Sequence, residues 1–516
     1  MKDPLSKILV NLHHVSLSMV WKSILIGAFS AVLVILFRIV FIQGEALNRM
    51  IFHDSAHTNF PLLFFIFLGV ALLIAALVYL EPLSSGSGIP QIQAEVLGRI
   101  EMHPVRVLIS KFIGGAANAF AGLSLGRQGP CIQICGAIGK IIGQITRTNP
   151  TQMRILITAG ASAGLAAAFN APISGALFAL EEVHKKFSHV VMIPAFLAAI
   201  TADSLAKYVF GMEPVFEFAV PHQMPLQSYV TLIPLGILTG FIAMCLNKSL
   251  LGAQTLMQKL PIPKFAYPPI AIIFAFFICL YFPQIQNGGE GLIETIAQNS
   301  FTTLVLFGLI VGKILFTAIS YSSTSQGGIF IPTLTVGALT GCMYYNILLH
   351  FQLIPPSLLP NFALYGMVGV LTGVIQSPII SILLVTEMAG TFTTILGPIL
   401  VAVVSILVAN SLFFTKPIYE IFLERLLAHQ VPLGDNEPKV ITEFVVGGLS
   451  KFAHQKLKNI HWPHDSLVVS IHGATADFVP NGNSTILPGD KLIILVKKNK
   501  LMELDQWLTD NESDEF

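Results

Sequence analysis

The sequence predicts an all-α polytopic membrane protein, made of two repeated halves of tilted and broken helices and followed by a small α/β domain. Three observations predict it. Of 516 residues, 54% are hydrophobic and only 11% charged, with a mean hydropathy of +0.74; soluble domains carry about 25% charged residues. Three glycine-and-proline stretches interrupt the apolar part: Gly86-Ser87-Gly88-Ile89-Pro90, Gly126-Arg127-Gln128-Gly129-Pro130 and Gly327-Gly328-Ile329-Phe330-Ile331-Pro332. The apolar part also repeats itself.

Each broken stretch runs into a helix-compatible apolar run. Irregular backbone at membrane depth is tolerated where it lines a cavity or is buried in protein. A helix starting there turns its free N–H groups and the positive end of its dipole toward that place. Three such starts make an anion site inside a membrane.

The repeat aligns Gly160 with Gly366, Pro172 with Pro378 and Glu181 with Glu387, all in one register (366 − 160 = 206). A second register (337 − 136 = 201) pairs Gly126 with Gly327 and Gly136-Ala137 with Gly337-Ala338. Two such halves place a substrate site at their interface near the midplane. Counting spans does not decide whether the halves are parallel or inverted. Many apolar segments are shorter than the ~20 residues of a straight span, so tilted or partial helices are expected. The run from about Val20 to Ile42 is too long for a signal h-region and lacks a small-residue cleavage site, so it is expected to remain as a span.

Basic residues set the orientation. Arg99, Arg106 and Lys111 read as one connection, and Lys140, Arg147 and Arg154 as the next. Lys185-Lys186, then Lys248, Lys259 and Lys264, then Lys416 and Arg425 follow. Connections His53–Phe60, Gly211–Tyr229, Gln284–Ser300 and His350–Phe362 are nearly free of Lys and Arg. The positive-inside rule puts the first group in the cytoplasm, with both termini. The expected divisions are a cytoplasmic N-terminus (1–16), a membrane domain (17–430, halves about 17–215 and 226–425), a linker (431–438) and a cytoplasmic domain (439–516).

The five cysteines are scattered and form no Cys-x-x-Cys pair, and no His-Glu-x-x-His occurs, so neither a disulfide framework nor a zinc site is indicated and no cofactor is expected. A formal net charge of +1 gives no reason to expect nucleic acid. No clustered nucleophile or paired acid in one loop argues for an enzyme. Thr335-Val336-Gly337 is a fragment of a potassium filter, but it runs into Ala338-Leu339 inside an apolar helix and reads as incidental.

The ordered set of motifs resembles the CLC chloride channel and transporter family over roughly residues 17–430. The set is Gly86–Pro90, Gly126–Pro130, Phe169-Asn170-Ala171-Pro172 leading to Glu181-Glu182, Gly327–Pro332, Thr386-Glu387-Met388 and Lys416-Pro417-Ile418-Tyr419. The resemblance implies inverted halves, a homodimer with one pore per subunit in a bacterial cytoplasmic membrane, and chloride as substrate with protons as counter-substrate. It further implies that the hydroxyls of Ser87 and Tyr419 and the backbone amides of Ile329 and Phe330 hold chloride, beside Gly126, Arg127 and Gly129. Read on its own chemistry, Arg127 is a structural residue that satisfies helix-end carbonyls, and Glu387 a hydrogen-bonded scaffold acid.

Gln128 departs from the family pattern, which has glutamate there as gate and proton carrier. Glutamine has the same shape without charge or titratable proton. The expectation is chloride flux uncoupled or weakly coupled to protons. Two origins fit, a natural channel-like branch and an engineered substitution. Glu182 matches the family's internal proton-transfer glutamate; the alternative is a solvated helix end pairing with Lys185 and Lys186. Gln91 and Gln93 stand where relatives often have Glu, and neither is expected on the direct anion path.

In the tail, Phe444–Gly447, Leu467–His472, Asp477–Val479 and Lys491–Val496 read as strands, and Gln455–Ile460 and Leu501–Leu508 as helices. Asp435-Asn436-Glu437-Pro438 reads as linker, and the acidic end from Asp510 to Phe516 as frayed. Val446-Gly447-Gly448-Leu449-Ser450, Pro480-Asn481-Gly482 and Leu487-Pro488-Gly489-Asp490-Lys491-Leu492 resemble the RCK C-terminal (TrkA-C type) regulatory domain. That resemblance implies a small nucleotide ligand such as cyclic di-AMP, and an alternative function as a natural chloride conductor regulated by it.

Overall fold

Proline in the first turn opens several of the helices, because a missing N–H costs nothing there and the ring presets φ. The computed structural model describes residues 17–54, 60–185, 188–216, 224–412 and 416–428, and, beyond them, 439–448, 450–463, 466–473, 477–497, 500, 503–504, 507–508 and 511. The expected N-terminal stretch, Lys186, the linker, the acidic end and half of the expected helix Leu501–Leu508 lie outside them. Two compact units form, Met1–Leu427 and Ala428–Phe516.

In the first unit the described helices are α1 (Leu17–Asp54), α2 (Phe60–Leu80), α3 (Ile89–Val96), α4 (Pro104–Phe120), α5 (Gln128–Ile145), α6 (Pro150–Phe169), α7 (Pro172–Phe178) and α8 (His189–Phe210). After them come α9 (Leu232–Gln258), α10 (Tyr267–Tyr281), α11 (Glu290–Gln298), α12 (Thr303–Ser322), α13 (Phe330–His350), α14 (Leu359–Ile375), α15 (Pro378–Met388), α16 (Leu396–Leu407) and α17 (Ile418–Ala428). Among the described residues, eight helices are long and apolar enough to cross a membrane. Helices α3, α7, α11 and α15 are too short to span one, with 8, 7, 9 and 11 residues.

The two halves are related by a two-fold operation. Gly126 and Gly328 pair as an antiparallel bridge, each N–H donating to the other's carbonyl (2.7 and 2.9 Å). Equivalent segments that pair antiparallel are inverted with respect to each other. The register at these breaks is 202 (332 − 130, from Pro130 and Pro332), one residue from the 201 that the Gly-Ala pairs suggest. The helix starts set it, since Gln128 opens α5 and Phe330 opens α13. Helix α6 ends on Asn170 and α14 on Gln376, both left-handed (φ 53° and 56°), and a proline opens the next helix two residues later in each case. A Cβ on Gly139 would overlap the Leu156 carbonyl, and one on Gly341 the Phe362 carbonyl. These crossings let α5 lie against α6 and α13 against α14 backbone to backbone.

Two basic residues are not where the charge pattern places them. Lys111 lies inside α4 at 0% exposure, donating to the carbonyls of Ser84 (2.8 Å) and Gly86 (2.6 Å). Lys140 lies inside α5, paired with buried Glu95 (2.5 Å) and donating to Met102 O (2.7 Å). A buried ammonium is stable when carbonyls or a carboxylate take up its three donors. Both lysines are therefore internal ties rather than loop markers.

The second unit is a four-stranded antiparallel sheet in the order β1-β4-β2-β3, with β1 Lys439–Val445, β2 Ser466–His472, β3 Asp477–Phe478 and β4 Lys491–Lys497. Strand β1 ends at Val445, so Val446-Gly447 lies beyond it and the strand begins earlier than its apolar pattern suggests. Expected helix Gln455–Ile460 is a short 3₁₀ turn, Leu457–Asn459. Leu492, Ile494 and Val496 alternate into a core with Val446, Ile471, Ile486 and Phe452. The Pro488-Gly489-Asp490 turn is tied back by Gly489 N to Val446 O (2.8 Å) and Val446 N to Asp490 O (2.9 Å).

Candidate functional site

All three broken stretches meet at one place. Gly86 N donates to Thr324 O (3.3 Å), and Gly327 N donates to Gly86 O (3.0 Å). The Gly126–Gly328 bridge joins the other two. A Cβ added to Gly129 would lie 2.5 Å from the Ser87 carbonyl and 3.0 Å from the Gly328 Cα, so side chains are excluded where the starts touch. Gly86 and Gly88 hold φ of 64° and 92°, which turns the chain sharply into α3 around Ser87.

No side chain caps α3, α5 or α13 at its N-cap position. Pro90, Pro130 and Pro332 remove one donor from each first turn. What remains are backbone N–H groups at the positive ends of three helix dipoles, in a buried setting where a partial charge acts at low dielectric. Phe330 opens α13 and Ile329 precedes it in an αR conformation; both are 1% exposed.

Ser87 is 1% exposed, and its Oγ accepts from Ile89 N at 3.3 Å. The Tyr321 hydroxyl, from the end of α12, lies against the turn before Ser87, 3.6 Å from where a Cβ on Gly86 would sit, and its ring stacks on Phe422 (4.8 Å, 29°). Tyr419 comes from α17, behind Pro417. It is 0% exposed and stacks on Phe330 at 5.9 Å and 30°, and its hydroxyl has no hydrogen-bond partner among the described residues. Leaving a buried hydroxyl unpaired costs about 1–3 kcal/mol, so the fold carries it for some other purpose.

Gln128 and Arg127 point elsewhere. Gln128 is fully buried; its Nε2 lies 3.5 Å from Glu290 Oε1, and its Oε1 has no partner. Arg127 pairs with Glu290 Oε2 at 2.9 Å, so its partner is a carboxylate, not the helix-end carbonyls the sequence suggests.

Glu182 lies apart from the glycine starts, in the π-helical turn Ala179–Val183 that follows α7. It is 2% exposed and accepts from Ser377 Oγ (2.8 Å) and Gln93 Nε2 (2.9 Å). It borders a cavity of about 210 Å³ lined also by Glu181, Lys185, Gln376, Ser377 and Pro417. Among the described residues the solvated helix end does not form, since Lys185 pairs with Glu420 (3.4 Å) and Glu181 accepts from Ile379 and Ile380 N; Lys186 lies outside them. Glu387 is the scaffold acid its repeat position implies, accepting from the Ile173 and Ser174 amides.

The structure thus brings together Ser87, Gly126, Gly129, Ile329, Phe330 and Tyr419. It turns Arg127 and Gln128 toward Glu290, and it holds Glu182 apart on Gln93 and Ser377. Tyr321, Glu290, Gln93 and Ser377 are the participants the sequence reading misses. No local pattern marks them, since each meets its partner across a long stretch of chain.

Comparison with known proteins agrees with this geometry. Residues 69–410 match the family described as voltage gated chloride channel, and residues 441–509 match the TrkA-C domain. The chain is 33% identical over 356 residues to an H(+)/Cl(-) exchange transporter ClcA of Vibrio campbellii, covering 67% of this chain and 75% of that protein. It is 32% identical over 395 residues to the ClcA of Salmonella agona, covering 73% and 81%. A slow cyanobacterial Cl-/H+ antiporter superposes with a TM-score of 0.74 at 28% identity, over 81% of this chain and 100% of that one. A CLC-type fluoride/proton antiporter shares the fold, with a TM-score of 0.64 at 21% identity, over 78% of this chain and 96% of that one. Three buried helix starts around a shared glycine bridge, inverted halves and these likenesses converge: the chain belongs to the CLC family of chloride transport proteins and carries a TrkA-C domain behind its membrane unit.

Proposed function

We propose that this protein moves chloride through a site made of the α3, α5 and α13 starts, the Ser87 hydroxyl and the Tyr419 hydroxyl. The single observation that carries the reading is the Tyr419 hydroxyl, fully buried and without a partner among the described residues, on a ring stacked against Phe330 where α13 begins. Amide dipoles and two hydroxyls bind an anion without a cationic side chain, so the site holds chloride and releases it. Chloride is the substrate.

The neutral Gln128 leaves the outer carboxylate position of the family without charge, so chloride flux is uncoupled or weakly coupled to protons. Glu182 is the inner proton group, buried with its oxygens held by Gln93 and Ser377 and bordering a cavity. Paired chloride and proton flux in liposomes tests this, comparing the parent with Gln128→Glu. The expected result is chloride flux with little proton movement in the parent, and proton movement at a fixed ratio in the variant. Proton coupling at full ratio in the parent, or no chloride flux, overturns the reading.

The family setting supports a homodimer in a bacterial cytoplasmic membrane, with both termini in the cytoplasm. A second reading, favoured by the TrkA-C match, makes the protein a channel-like conductor regulated by a small nucleotide. Cyclic di-AMP added to the full-length protein in liposomes should then change chloride flux; no change up to millimolar ligand removes that reading.

A further inference from the structure

We propose that Glu290 is a positioning residue for the outer end of the anion path, holding Gln128 and Arg127 in place through one carboxylate. The inference rests on the proposed chloride function and adds a residue to it. Glu290 opens α11, and its two oxygens divide their work. Oε2 takes the Arg127 guanidinium at 2.9 Å, and Oε1 faces the Gln128 amide at 3.5 Å. Gln128 and Arg127 are 0% and 2% exposed, whereas the Glu290 side chain is 26% exposed. Glu290 is therefore the member of the trio that reaches the surface.

It lines one corner of a cavity of about 900 Å³ together with Glu45, Arg49 and Asn287. The far wall, with Phe282, Val305 and Leu315, is apolar and exposed, as a lipid-facing surface would be. Among the described residues, the charged groups around Glu290 are Arg127, then Arg38, Glu45 and Arg49 of α1. Lys313 is occupied by the carbonyls of Ile285, Gln286 and Asn287, directly before α11, which fixes the segment that presents Glu290.

This arrangement gives the neutral gating position an indirect handle. Glu290 binds the guanidinium and the amide by charge-assisted hydrogen bonds. Without that carboxylate Gln128 is free to leave the start of α5, and chloride flux should rise.

The test is chloride efflux from liposomes at one fixed pH. Glu290→Ala should speed efflux at least about tenfold, the size expected from losing one hydrogen bond to a charged group. Glu290→Gln keeps the shape without the charge and should fall between the parent and Glu290→Ala. Gln128→Ala should also be fast, and adding Glu290→Ala to it should change flux by less than about twofold, because partners in one network are not additive. A Glu290→Ala flux equal to the parent's, or a full Glu290→Ala effect in the Gln128→Ala background, overturns the inference while leaving chloride transport standing. A parent that moves no chloride removes the function beneath it instead.

Discussion

Glu181 and Glu387 cap each other's half of the molecule. Glu181, beyond α7, accepts from the amides of Ile379 (3.2 Å) and Ile380 (2.7 Å) at the start of α15. Glu387, near the end of α15, accepts from Ile173 (3.1 Å) and Ser174 (2.8 Å) at the start of α7. A carboxylate at a helix start answers both its free N–H groups and its dipole. The caps correspond under the two-fold relation, but Glu387 also accepts from the Ser174 hydroxyl (2.5 Å), which has no counterpart at Ile380, so replacing Glu387 should cost at least as much as replacing Glu181. Glu181→Gln and Glu387→Gln should each lower stability by about 1.5–3 kcal/mol, the value of hydrogen bonds to a charged group. Thermal unfolding in detergent checks it; a loss confined to one of them would break the correspondence.

Tyr419 separates binding from stability. Its ring packs on Phe330 and Phe422, and its hydroxyl bonds nothing among the described residues. Tyr419→Phe keeps the packing and removes the donor. Chloride affinity should fall about fivefold to tenfold, since about 1.4 kcal/mol is tenfold. The melting temperature without chloride should hold or rise. Calorimetric titration with chloride reads the first effect and a thermal scan the second. Unchanged affinity would take the hydroxyl out of the site.

The helix breaks were readable because glycine and proline act locally, and the repeat because each half carries its own copies. Contacts across the fold were not readable. Gln93 and Glu182 stand 89 residues apart, and nothing near Gln93 announces its partner. Gln93 lies off the expected anion path, yet it holds the acid of the expected proton path. Lys111 and Lys140 were misplaced because basic residues usually mark loops in membrane proteins, and burial with matched carbonyls or a carboxylate overrides that rule. Strand β1 was cut short because it is an edge strand in which Lys439, Thr442 and Glu443 dilute the apolar pattern.

Lys111 and Lys313 form a second equivalent pair, in the same 202 register as the prolines (313 − 111). Lys313 binds three carbonyls ahead of α11, and Lys111 binds Ser84 and Gly86 ahead of α3. Methionine at either position strands those carbonyls in a buried setting. Both variants should lose about 1–3 kcal/mol for each carbonyl left without a partner. Their functional effects should differ. Lys111 fixes the turn that carries Ser87, so Lys111→Met should also weaken chloride binding in protein that remains folded. Lys313→Met should bind chloride as the parent does. Calorimetry on folded, size-selected protein distinguishes them; equal binding losses would mean that Ser87 is positioned by something else.

Gln93 reports whether Glu182 handles protons. Its amide donates to both the carboxylate and the backbone carbonyl of Glu182, each at 2.9 Å. Gln93→Leu removes both donors and leaves the carboxylate on Ser377 alone, in a buried place where its charged form loses support. The site around Ser87 and Tyr419 has no contact with the Gln93 amide among the described hydrogen bonds. In a Gln128→Glu background, Gln93→Leu should therefore slow proton movement about tenfold or more, the loss expected of one hydrogen bond to a charged group, and leave chloride flux within about twofold. Simultaneous chloride and proton recordings give the ratio directly. If chloride and proton fluxes fall together, Gln93 supports the helix rather than the acid, and the proton role of Glu182 loses its structural basis.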